Sequence, residues 1–98
     1  MPDFRDVDPR ALRVPPSRRQ GADPAKLQRQ IASFGRSTLG MPPPWVYEGS
    51  DSVLVLYNGV TRATRIAKLA PGTLIRVEVI GKLPQPYAAE PKIGDLLP

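Results

Sequence analysis

Ninety-eight residues allow one domain with a single modest core, and 14 Lys+Arg against 9 Asp+Glu leave a net charge of +5. That balance suits a polyanionic partner such as nucleic acid or a nucleotide, and equally an ordinary solubility charge. Histidine and cysteine are both absent, which excludes disulfides, thiolate nucleophiles, Cys/His zinc sites and a histidine general base.

The first 22 residues read as a short extended segment followed by a proline-broken arm, in which Arg18, Arg19 and Gln20 stand together. Such an arm can straddle a phosphodiester backbone or simply be a solvated loop. Asp23 then offers an N-cap and Pro24 the favoured first helical position, so a helix is expected over 24–34, closed by Gly35. Leu27, Ile31 and Phe34 fall on one stripe, expected to face the core. Lys26, Arg29 and Ser33 share a different face, either a basic anion-facing surface or an ordinary solvated one.

Pro42, Pro43 and Pro44 cannot continue a helix and predict a loop. The stretch WVYE, the turn GSDS and VLVLY then predict a hairpin; because its second arm is apolar throughout, that arm is expected to be the central strand, covered on both faces. Residues 59–70 have helical periodicity, with Val60, Ala63, Ile66, Ala67 and Ala70 on one side and Thr61, Arg65 and Lys68 on the other, before Pro71-Gly72 ends the helix. TLIRVEVIG alternates as a strand. The remainder is a proline-rich tail over 82–98, packed by Tyr87, Ile93 and Leu96 or Leu97, outside a core of about 6–81. The order predicts an α+β domain with a mixed sheet and two main helices, its last strand joined through the second helix by a right-handed parallel crossover.

The most chemically suggestive stretch is Asn58-Gly59-Val60-Thr61-Arg62. A strand feeds almost directly into a helix whose first N–H groups lack intrahelical partners and lie at the positive end of its dipole. Gly59 permits positive φ or a close approach, Thr61 brings a hydroxyl and Arg62 a fork suited to phosphate. A plain connection, with Asn58 as the cap and Arg62 solvated, fits the same spacing. The single aromatics Trp45 and Tyr47 fit edge packing better than a base-stacking platform. Asp6 with Asp8, or Glu48 with Asp51, could hold a hard divalent ion, but turn and edge chemistry explains both pairs. Asp6, Asp8 and Asp23 are the candidate general bases, and none is singled out.

Taken together, DPAKLQRQIASFG, the stretch from MPPPW to VEVIG and the arginine-glutamine arm resemble the ParB/sulfiredoxin superfamily. The resemblance implies a phosphate or nucleotide site in which Gly59 and Arg62 stand for the family's Gly-x-x-Arg pair, with Val60, Thr61, Asn58 and Arg65 beside them and Lys26, Arg29 and Ser33 facing a nucleoside triphosphate with Mg²⁺. Val60 stands where sulfiredoxins carry the reactive cysteine, so sulfinic acid reduction is excluded. Val60 and Thr61 also depart from the Gly-Glu-Arg-Arg of partitioning proteins, which puts CTP hydrolysis in doubt.

The core NGVTRATR and the closing Ile-Gly-Asp-x-Leu-Pro are similar to ParB-like domains of bacterial polymorphic toxins. That likeness implies a nuclease or nucleotide hydrolase of toxin type, acting in its own or a target cell's cytoplasm, with a cognate immunity protein as partner. A non-catalytic module binding nucleic acid or protein on the same fold is the alternative. No apolar run approaches the roughly 18 residues of a membrane span, and the first ten residues carry no signal-peptide core, so no membrane partner is expected.

Overall fold

The computed structural model describes residues 2–87 and 91–97. Strand β1 (Asp3–Val7) opens the chain and leads through single 3-10 turns at Pro9–Ala11 and Pro16–Arg18 to helix α1 (Pro24–Phe34). Strands β2 (Trp45–Glu48) and β3 (Leu54–Asn58) form the hairpin, helix α2 (Val60–Leu69) follows, and β4 (Ile75–Lys82) completes the sheet before a last 3-10 turn at Ile93–Leu96. The domain is α+β with a mixed sheet and two main helices, as expected.

Local chemistry sets the bounds of α1. The Asp23 side chain accepts from the Ala25 N–H at 3.0 Å, Pro24 opens the helix, and Gly35 closes it at φ 54° while donating to the Ile31 carbonyl. The apolar stripe is less buried than its spacing suggests: no α1 residue is fully buried, and Phe34 is 56% exposed. The cause is position, because α1 packs against α2, outside the core formed on the sheet.

The sheet runs β1-β4-β2-β3. Strand β4 is internal, antiparallel to β1 and parallel to β2, while β3 is an edge strand, which corrects the expectation that VLVLY is central. The apolar run reflects coverage by something other than a neighbouring strand. Arg13 N–H donates to the Leu54 carbonyl and Leu56 N–H to the Arg13 carbonyl, both at 2.9 Å, so residues 12–14 of the proline arm close the edge of β3. Its last residues Tyr57 and Asn58 are exposed, so the strand is not covered on both faces. The expected parallel step from β3 to β4 is also corrected. β3 is antiparallel to β2 and β2 parallel to β4, so β3 opposes β4 and the parallel partners are β2 and β4.

On the inner face, Val46, Leu56, Ile75, Val77 and Val79 meet Val60, Ala63, Ile66 and Ala67 of α2. Leu12 and Val14, from the supposed arm, are 1% and 4% exposed and belong to this core. So does Ile93 at 1%, and Leu96 and Leu97 pack against the same core; Ile93 N–H donates to the Leu12 carbonyl at 2.8 Å. The core therefore extends past residue 81 into the tail. Burying a side chain such as Leu12 or Ile93 contributes about 1.5–3 kcal/mol, so these outlying segments are structural parts of the domain. On the other face Phe4, Trp45, Tyr57 and Ile80 remain exposed.

Candidate phosphate site at the start of helix α2

The chain leaves β3 through Asn58 and turns at Gly59, whose φ of 101° and ψ of 21° lie in the left-handed region. A Cβ there would stand 2.6 Å from Pro44 Cβ, so conformation and close approach both demand glycine. Pro44, last of the three prolines, is the buried wall of the turn.

Gly59 itself occupies the N-cap position, and among the described residues no side chain caps the first turn of α2. Asn58, a candidate cap from the sequence, is used otherwise: its Oδ1 accepts from Arg62 Nη2 at 2.8 Å. The amides of the first turn thus point outward at the positive end of a ten-residue helix with no side-chain oxygen upon them.

Arg62 folds back over the turn, its Nη2 3.0 Å from the point a Gly59 Cβ would occupy. Among the described residues the Asn58 bond is the only hydrogen bond its guanidinium makes, and its enclosed Nε has no partner. Burial lowers the pKa of this guanidinium from its ordinary value. A bound anion would reverse that desolvation penalty and satisfy the fork.

Three depressions meet at this turn. One of about 230 Å³ is lined by Arg18, Gln30 and residues 57–62. A second, of about 260 Å³, brings Lys26, Arg29 and Ser33 of α1 to Thr61 of α2. A third, of about 250 Å³, is mainly apolar, with Phe34, Leu39, Met41 and Pro42 beside Arg62. Val60 is buried in the core and offers the site only its backbone. Arg19 and Gln20 line a separate groove beside Asp23, so of the arm residues only Arg18 reaches the turn.

Arg65 has a different role from the one its periodicity suggests. It is 2% exposed, and its Nη1 donates to the carbonyls of Gly35 at 2.7 Å and Ser37 at 2.8 Å. Its Nε reaches Gln30 Oε1 at 3.3 Å, and its guanidinium carbon lies 5.3 Å from the centre of the Phe34 ring. These bonds hold the carbonyl of Gly35, the C-cap of α1, and that of Ser37 in the chain just beyond it, so Arg65 clamps the two helices instead of turning its fork toward the Thr61 side.

The carboxylates are engaged elsewhere. Asp8 accepts from Arg10 N–H, Asp23 caps α1, and Asp6 lies 3.8 Å from Arg76. Glu48 is gripped by Arg5 at 2.6 and 3.1 Å, and Asp51 accepts from the Val53 and Tyr87 amides. Asp8 and Asp51 thus do the turn chemistry expected of them, whereas Glu48, on the internal strand β2, is held in an ion pair across the sheet. Among the described residues there is no group of three or more acids placed to hold a metal ion, and no Asp or Glu lines the three depressions.

Three further residues belong to this neighbourhood. Gln30 lines all three depressions, Tyr57 stands at the rim, and Pro44 forms the wall. Only Gln30 carried a signal, being four residues after Lys26 on the same helix face. Compared with protein-family models, curated proteins and solved structures, the chain matches none. Among the described residues no helix is long and apolar enough to cross a membrane.

Proposed function

We propose that the chain is a ParB/sulfiredoxin-like domain that binds a phosphate of a nucleotide or nucleic acid at the Gly59–Arg62 turn. The observation that carries this reading is the uncapped first turn of α2, over which Arg62 is held by Asn58 with its Nε enclosed and unpartnered. Backbone donors and a charge-assisted fork then converge on one anion. Thr61 supplies a hydroxyl, and Lys26, Arg29 and Ser33 come in from α1. A nucleoside triphosphate with Mg²⁺ fits this scheme as ligand, the metal carried by the phosphates.

Binding without catalysis is the form of the proposal that the acids favour. Asp6, Asp8 and Asp23 each have a structural partner, and among the described residues no carboxylate lines the turn to act as a general base. The toxin reading, as nuclease or nucleotide hydrolase with a cognate immunity protein, requires a base from outside the described residues or from the ligand itself.

A thermal-shift panel of ATP, CTP, GTP and short DNA, with and without Mg²⁺, tests the proposal. A ligand that binds only the native state raises the melting temperature. A flat response across the panel overturns it.

A further inference from the structure

The open face of the sheet displays aromatic side chains that the fold does not need there. Tyr57 is 60% exposed and Trp45 44%, although rings of this size contribute most to stability when buried. They stack on each other with planes 13° apart and centroids 6.4 Å apart, and Tyr47 meets Tyr57 edge-on at 5.7 Å. Tyr47 thus props Tyr57 from the side. The result is a preorganised aromatic strip across β3 and β2, opposite the core face.

Position gives the strip its meaning. Tyr57 also lines the depression that holds Asn58, Gly59 and Arg62, with Arg18 at the same rim and no carboxylate among its lining residues. One end of the strip therefore abuts the cationic turn. We propose that Tyr57 and Trp45 stack successive bases of a single-stranded nucleic acid whose phosphate is held at the start of α2, an inference that rests on the phosphate site proposed above.

The chemistry selects this occupant. Every base has a π-face that stacks on an aromatic ring regardless of sequence, and those faces are open only in a single strand. A duplex presents its phosphates and keeps its base faces hidden. A free mononucleotide anchored at Arg62 would meet Tyr57 and leave Trp45 unused. Two arginines beside exposed rings, on a chain of net charge +5, complement a polyanion better than an apolar protein surface.

Trp45 is the only tryptophan in the chain, so its fluorescence reports directly on the strip. The experiment titrates wild-type protein with a short oligothymidylate, the matching oligothymidylate–oligoadenylate duplex and thymidine monophosphate. Affinities of variants are read from the anisotropy of labelled oligothymidylate. Expected are quenching of Trp45 by the single strand, weaker binding of duplex and monophosphate, a loss of about tenfold in Tyr57→Ala and in Trp45→Ala, and retention in Tyr57→Phe and Trp45→Phe. Both side chains are exposed, so unchanged melting curves verify that the variants fold.

If Arg62→Ala abolishes binding while Tyr57→Ala and Trp45→Ala bind as wild type does, the strip is overturned and the phosphate site stands. If the aromatic variants fail while Arg62→Ala binds normally, the strip stands and the phosphate site falls. Equal affinity for monophosphate and oligonucleotide overturns the single-strand assignment, and no binding of any of the three ligands overturns both.

Discussion

Arg65, in the middle of α2, donates to the main-chain carbonyl of Gly35 at 2.7 Å, and so ties the end of α1 to the helix that begins at the candidate site. α1 buries no residue fully, and its place on the domain therefore depends on this clamp as well as on packing.

Arg65→Ala should lower stability by about 2–4 kcal/mol, since it removes hydrogen bonds from a charged donor and leaves the Gly35 and Ser37 carbonyls poorly paired. Urea denaturation followed by circular dichroism measures this. A loss under about 0.5 kcal/mol, the scale of a surface substitution, would contradict the clamp.

Gly59→Ala should cost about 2–4 kcal/mol, from a left-handed backbone that L-residues resist and from contact with Pro44. Gly40→Ala, at φ 71° with open space where its Cβ would go, isolates the backbone part and should cost less. Comparing the denaturation midpoints of the two variants separates steric demand from conformational demand.

Much of this was legible in the residues, and the failures have physical causes. Asp23, Pro24 and Gly35 marked α1 because caps act locally. VLVLY misled because its apolar side chains record burial, whereas strand order depends on pairing, and residues 12–14 supply the cover. Leu12 and Val14 were hidden among prolines and arginines whose composition reads as a loop. Arg65 lies where helical periodicity sets a polar face, and only the distant end of α1 makes that face an interior. Tyr57 counted as one more apolar strand residue, although alternation from the buried Leu56 turns it outward.

The hydrogen bonds from Arg5 hold the Glu48 carboxyl below its ordinary pKa, ahead of the opposing desolvation, with attraction to Arg5 and Lys82 adding to the lowering. A depressed folded pKa contributes stability that is present above the unfolded value, about 4.3 for glutamate, and lost as pH falls through the folded value. The denaturation midpoint should therefore drop as the solution is acidified below about pH 4. Glu48→Gln should be less stable than wild type at neutral pH and show a shallower acid limb. An unchanged limb in Glu48→Gln would remove the Arg5 pair as its source.

Lys26→Ala and Arg29→Ala should weaken nucleic-acid binding with little effect on folding, both side chains being exposed. Each lost phosphate contact reduces the dependence of log affinity on log salt by a little under one unit. Fluorescence titrations at a series of salt concentrations give that slope, and a slope equal to wild type in both variants would remove the α1 face from the site.

Arg62 is the residue on which the proposed anion binding at the α2 turn depends, and calorimetric titration of wild type and Arg62→Ala with nucleoside triphosphates and inorganic pyrophosphate measures that dependence. Wild type should bind measurably and Arg62→Ala at least about tenfold more weakly, the loss of one charge-assisted hydrogen bond, with the two proteins within about 1 kcal/mol of each other in stability. Arg62→Ala binding every ligand as tightly as wild type would rule out a phosphate held by Arg62.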